Sequence, residues 1–359
     1  MYSYSHGGNA AFESGQSIIT DLSANINPFG VPINVESAII GDIPQIVSYP
    51  DNSSRKLREK IAEFENVHPD RIFCGNGASD IIFRLPRAVQ AKKVMLTAPT
   101  FSDYERAALS YGAELLYYAL DPDEGFILDY GFVETAIAEN PDLIFICNPN
   151  NPTGTLTDPA LIKKLLDHCK NSNAMVAVDE CFLDFTEKAD DYTSKIYLDE
   201  YKNLIIFKAF TKLFTMPGVR LGYSLCSDEM VINNLYFHGP DWAVSNLAQA
   251  AGIAALDGAD QFVRQTVDYV SAERNKMEKE LLRLGYRVFK TSANYVFLQS
   301  PYSFDLQEEL NKEGIRIRSC SNYHELDNSY FRIAVSTSEK NTKLLSAVEK
   351  VTMMHTNGN

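Results

Sequence analysis

Short, unbroken apolar runs alternate with amphipathic stretches through the middle of this 359-residue chain. Lys93 to Thr97, Leu143 to Cys147, Met175 to Asp179, Leu204 to Phe207 and Gly222 to Cys226 are near-continuously apolar. That pattern suits strands buried on both faces, because a strand with one wet face alternates. Helical patterns fall between them. Ser54 to Asn66 places Leu57, Ile61 and Phe64 on one stripe, with Ser53 or Ser54 as the cap. Pro159 to Asn171 opens on Asp158 as cap, with proline in the first turn. This alternation predicts an α/β fold with a mostly parallel central sheet and helices on both faces. Ligands of such sheets sit at the carboxyl ends of the strands.

The pattern changes after Trp242, which could wall a pocket but reads rather as packed between two lobes. A helical region, Ser245 to Gly285, leads into the strand-like runs ANYVFL, IRIRSC and YFRIAVS and a closing helix. The expected organisation is an N-terminal arm with part of a small domain over 1–40, a large domain over 41–243, and a small α+β C-terminal domain over 244–359.

The charge balance narrows the partners. Aspartates and glutamates outnumber lysines and arginines by 47 to 33, giving −14. Nucleic acid and anionic membranes both demand clustered basic residues, so neither is an expected partner. A chain this acidic that binds an anion must gather its few arginines at the site. The six cysteines have no CxxC or zinc-ligand spacing and read as reduced core residues, with no metal expected. The N-terminus lacks the regions of a signal peptide and no apolar run approaches membrane-spanning length, so a soluble, cytoplasmic protein is expected.

Four segments carry candidate chemistry. In AFTKLFTMPGVRLGY, Lys212 lies in a turn just past an apolar strand, with Arg220 eight positions on. Such a lysine can form a Schiff base with an aldehyde, and such an arginine can hold a phosphate. Gly75-Asn76-Gly77-Ala78-Ser79 follows a short apolar run and opens a helix, whose free N–H groups attract phosphate. Asn148-Pro149-Asn150-Asn151-Pro152-Thr153-Gly154 makes a stiff strand-end loop whose amides can aim at a ring substituent. Asp179 ends the strand MVAVD, where an acid can pair with a protonated pyridine nitrogen.

Phosphate cup, asparagine loop, strand-end aspartate and lysine turn occur here in the order found in fold-type I pyridoxal-phosphate enzymes, the aspartate-aminotransferase superfamily, which the chain resembles over nearly its whole length. Within it the likeness is greatest to the branch of histidinol-phosphate aminotransferases and threonine-phosphate decarboxylases. His6-Gly7-Gly8-Asn9, the SANINP run at Ser23 to Pro28 and the IRIRSC segment resemble the decarboxylases more. The resemblance implies pyridoxal 5'-phosphate in the large domain, with Lys212 as its catalytic lysine and Asp179 on its ring nitrogen. It implies Asn151 on the ring oxygen and Phe101 stacked on the ring. Gly77, Ala78, Ser79, Thr211 and Arg220 would hold the phosphate, joined by Tyr49 from a second subunit, so a homodimer with a shared active site is implied. Arg332 would bind the substrate carboxylate, and His6, Gly7, Asn25, Asn151 and Arg318 would complete the substrate site.

Two positions depart from the aminotransferase pattern. Phe182 stands three residues after Asp179, where a tyrosine commonly donates to the ring oxygen, and Ala209 stands where a hydroxyl often helps hold the phosphate. Phe182 fits the decarboxylases. The implied reaction is decarboxylation of O-phospho-L-threonine to (R)-1-amino-2-propanol O-2-phosphate for the corrinoid nucleotide loop. O-phospho-L-serine, giving ethanolamine phosphate, is a near variant one methyl smaller. The alternative is an aminotransferase of the histidinol-phosphate type.

Overall fold

The computed structural model describes residues 20–172 and 174–356. Strands are numbered from β1 (Thr20–Asp21). The central sheet has seven strands, in the order β2 (Ile72–Gly75), β8 (Gly222–Cys226), β7 (Leu204–Ala209), β6 (Met175–Asp179), β5 (Leu143–Cys147), β3 (Lys93–Ala98) and β4 (Glu114–Ala119). Within this sheet β8 alone runs against the others. The mostly parallel sheet read from the sequence is therefore present, and each expected strand lies in it.

Alternate residues of one strand enter different cores. Along β5, Leu143, Phe145 and Cys147 join one apolar cluster while Ile144 and Ile146 join the other. Both faces are thus covered by helices, which is why the strands read as unbroken apolar runs. The edge strand β4 is the exception, half exposed along its length. Its mixed pattern carried no clear strand signal.

Four helices frame the site and its surroundings: α1 (Ile33–Asp42), α2 (Arg55–Glu65), α3 (Ala78–Ala88) and α4 (Ser102–Tyr111). The expected α2 is present, but its cap is not a serine. Ser54 is left-handed (φ 48°) and makes no capping bond. Asp51 does that work, accepting from the N–H groups of Ser53 and Arg55 at 3.0 Å each. Asp158 caps its helix as expected, accepting from Ala160 N–H at 2.8 Å. The long helical region breaks in two, Asn246–Leu256 and Ala259–Arg283, at Gly258 (φ +71°), a conformation glycine adopts freely.

A four-stranded antiparallel sheet, β12 (Arg318–Ser319), β13 (Tyr330–Ala334), β10 (Tyr295–Gln299) and β9 (Arg287–Phe289), forms the smaller layer. The IRIRSC run divides here: β11 (Ile315–Arg316) pairs in parallel with β1, and β12 pairs with β13. Trp242 is not packed between lobes. It is 46% exposed, on the surface. Among the described residues no helix is long and apolar enough to cross a membrane.

Candidate active site

The carboxyl ends of β3, β5, β6 and β7 open onto one cavity of about 510 Å³, lined also by β12, β13 and the chain after β1. Lys212 lies in the one-turn helix Phe210–Leu213 that follows β7 and points into this cavity. Burial and then the nearby charges of Arg332 and Arg220 make its ammonium costly, and its pKa falls to about 8. The Phe182 ring lies 5.9 Å from its Nζ. A neutral amine there is a competent nucleophile for an aldehyde.

Asp179 ends β6, paired in register with Cys147 of β5 and Phe207 of β7, and is almost fully buried. One carboxylate oxygen accepts from Tyr104 Oη at 2.7 Å, the other from Cys181 N–H at 3.0 Å. Burial raises its pKa despite these bonds. Among the described residues no lysine or arginine pairs with it, so a buried carboxylate faces the cavity with only neutral donors. A protonated ring nitrogen supplies the missing positive charge. Tyr104 is a site residue that the sequence did not disclose. It lies in the first turn of α4, one turn past Phe101, and is one of 19 tyrosines.

The phosphate cup is the junction of β2 and α3. Gly77 (φ +83°) precedes α3, and a side chain there would lie 2.6 Å from the Arg220 guanidinium. Gly222, at the start of β8, is held equally close: a Cβ would lie 2.4 Å from Ala78 N. Both glycines let backbone N–H groups and an arginine converge on one point, the start of an eleven-residue helix. Ala78, Ser79, Thr211 and Arg220 line the cavity. Ser79 differs from expectation in one respect, because its hydroxyl donates to Asp103 at 2.9 Å. Asp103 is in turn paired with Arg106 at 2.9 Å. Neither Asp103 nor Arg106 was singled out from the sequence.

The opposite wall comes from the small sheet. Arg318 and Arg332 are direct cross-strand partners in β12 and β13 and both line the cavity. Like charges facing each other across strands are unfavourable unless an anion joins them. Arg332 donates to Asn151 Oδ1 and, at 3.1 Å, to the Ser23 carbonyl. Tyr323 lies 3.5 Å from the same Asn151 oxygen. The amide oxygen of Asn151 is therefore engaged, which leaves its NH₂ as the group free to donate to a ring oxygen. Asn25, 1% exposed and lining the cavity, has no hydrogen-bond partner for either amide atom among the described residues. Phe101 lines the same space. His6 and Gly7 lie outside the described residues. Tyr49 is not brought to this cavity; it is 79% exposed on another face.

The donor set fits pyridoxal phosphate feature by feature. An amine of lowered pKa meets the aldehyde, an unpaired buried carboxylate the ring nitrogen, an oriented amide the ring oxygen, and a helix start with an arginine the phosphate.

Comparison with known proteins agrees. The family described as aminotransferase class I and II matches residues 17–348. The threonine-phosphate decarboxylase of Salmonella typhimurium is 33% identical, over 98% of this chain and 97% of its own. The crystal structure of the histidinol-phosphate aminotransferase from Clostridium acetobutylicum superposes with a TM-score of 0.87 at 30% identity, over 93% of this chain and 99% of that one. The histidinol-phosphate aminotransferase of Sinorhizobium meliloti, solved with pyridoxal-5'-phosphate, shares the fold at 20% identity, with a TM-score of 0.83 over 94% of this chain and 92% of that one. The chain belongs to the aminotransferase class I and II family and is a pyridoxal-phosphate-dependent enzyme.

Proposed function

We propose that the enzyme decarboxylates O-phospho-L-threonine to (R)-1-amino-2-propanol O-2-phosphate, the amino-alcohol phosphate of the corrinoid nucleotide loop. The observation that carries this reading is the Arg318–Arg332 pair, side by side on the small sheet and facing Lys212's cavity. Two guanidiniums that close suit a substrate with two anionic groups a few bonds apart, a carboxylate and a phosphate. The similarity to a threonine-phosphate decarboxylase over nearly the full length of both chains supports it, as does Phe182.

Pyridoxal phosphate, when bound, supplies a conjugated ring that accepts the electron pair of the bond broken at the substrate α-carbon. The protein chooses which bond. Arg332 would hold the carboxylate, with Arg318 and Asn25 toward the phosphate, so these residues would orient the substrate for loss of the carboxylate as carbon dioxide. Lys212 would then return a proton to the α-carbon.

The active enzyme is a homodimer in this reading, with Tyr49 of one copy reaching the cofactor phosphate of the other, and its free cysteines suit the reducing cytoplasm. The test is to incubate the cofactor-loaded enzyme with O-phospho-L-threonine and with O-phospho-L-serine, scoring carbon dioxide against keto acid. Release of carbon dioxide with formation of the amine phosphate is expected. Keto acid instead, with 2-oxoglutarate restoring the cofactor, would replace this reading by the histidinol-phosphate type of transamination.

A further inference from the structure

The surface around Tyr49 combines exposure with order in a way the catalytic cavity does not explain. The 3-10 turn Ile43–Val47 buries none of its residues, and Val47 is 88% exposed. A chain segment so bare of core contacts gains little from burial, yet it is tied down at many points. Asn246 Nδ2 donates to the carbonyls of Gln45 at 2.8 Å and Ser48 at 2.9 Å. Gln249 Nε2 donates to the Asp51 carbonyl at 2.9 Å, and Trp242 N–H donates to Asn52 Oδ1 at 2.7 Å. The Tyr49 ring stacks on Trp242, centroids 4.5 Å apart and planes 29° from parallel. A groove of about 580 Å³ lies between the two segments. Fixing an exposed segment costs conformational entropy, and the return comes only when a partner meets it already shaped.

Charge identifies the partner. Neither Ile43 to Pro50 nor Trp242 to Leu247 contains a charged residue, on a chain of net charge −14. Two copies of so acidic a protein repel over most of their surfaces and can approach at an uncharged, apolar window. A two-fold axis would place that window against itself.

We infer that Trp242 and Asn246 are positioning residues, which brace Ile43–Pro50 as a preformed arm against a second copy of the chain and so fix where Tyr49 arrives. The inference rests on the dimeric reading of the enzyme, in which Tyr49 serves the neighbouring cofactor phosphate. Both side chains act through Tyr49 and touch neither substrate nor cofactor.

The test uses the cofactor-loaded enzyme and reads two quantities: molar mass by light scattering through a dilution series, and cofactor retained after dialysis, from visible absorbance. Trp242→Ala and Asn246→Ala are each expected to weaken cofactor retention and dimer affinity by about tenfold, on the order of the stacking or paired hydrogen bonds removed. Trp242→Phe keeps a ring on Tyr49 and should recover most of the loss. Tyr49→Phe should keep the dimer and lose cofactor. Both braces lie at the surface, so their removal opens no core cavity, and unchanged circular dichroism accompanies the expected result. A wild-type dimer in which Trp242→Ala and Asn246→Ala alter neither quantity overturns the inference. A wild type that is monomeric and retains its cofactor at every concentration overturns the dimeric reading beneath it.

Discussion

The low pKa of Lys212 has a direct kinetic consequence for cofactor capture. Only the neutral amine attacks the aldehyde. With a pKa of about 8, roughly 9% of Lys212 is neutral at pH 7, against about 0.03% for an ordinary lysine, a gain of about 300-fold. Burial is the main cause, with the neighbouring charge of Arg332 second. The assay is to mix cofactor-free enzyme with pyridoxal phosphate and follow the second-order rate of the absorbance change from about pH 6.5 to 10. That window lies above the cofactor's own phosphate titration, near pH 6. The rate should rise about tenfold per pH unit and level off near pH 8. Arg332→Met removes one of the charges that depress the amine, so its plateau should begin at higher pH. A wild-type rate that climbs without a break to pH 10 would refute the reasoning, since the amine would then titrate like a solvated lysine. The sign for stability follows from the same shift. The folded value lies below the unfolded one, so protonation opposes folding, and the cofactor-free fold gains stability from this group as pH rises above about 8. The total gain is on the order of 3 kcal/mol.

Tyr104→Phe removes the hydroxyl that donates to Asp179. A hydrogen bond to a charged group is worth about 1.5–3 kcal/mol, and cofactor affinity by equilibrium dialysis should fall tenfold or more. Phe182→Tyr places a second donor near the ring oxygen beside Asn151, so the pH titration of the bound cofactor's visible absorbance should move to lower pH. Unchanged titration would show that position 182 does not face that oxygen. Glu180, fully buried beside Lys208, is raised to about 7, chiefly by burial. Its folded value lies above its unfolded one, so its ionisation erodes stability as pH rises from about 4.5 through 7. Glu180→Gln should remove that slope, making the urea unfolding free energies at pH 5.5 and 8.5 more alike, by as much as about 2 kcal/mol.

The parts of this molecule legible in the sequence are those where one local rule dominates. Strands β3, β5, β6, β7 and β8 are buried on both faces, so their apolar runs survive any detail of packing. Lys212, Asp179, Asn151 and the Gly77–Ser79 cup follow directly from strand ends, where chain order and local spacing already place them. Features set by an unusual local backbone or by distant contacts were not legible. Ser54 lost its cap to Asp51 because its own backbone turned left-handed, leaving the helix start to an oxygen three residues back. The Ser79 hydroxyl is turned to Asp103, 24 residues away. The Tyr104–Asp179 bond spans 75 residues, and no spacing rule distinguishes that tyrosine from the others. The exposed Tyr49–Trp242 stack spans more still, and Trp242 alone reads as packed between lobes until the fold shows it outside.

The distribution of charge joins the fold to the chemistry. A chain of −14 directs five cations, Arg106, Lys212, Arg220, Arg318 and Arg332, into one cavity that contains two carboxylates. Arg318 and Arg332 face each other across strands, and Arg332 and Arg220 both depress Lys212. Bound anions would resolve such crowding. The cofactor phosphate meets Arg220, and the two anionic groups of the proposed substrate meet Arg318 and Arg332. An acidic exterior around a basic cavity concentrates the protein's pull on anions at a single mouth, where field lines converge. The same contrast leaves the uncharged arm around Tyr49 as a surface on which like-charged copies can meet, so the charge pattern that selects the ligand also bears on how the enzyme assembles.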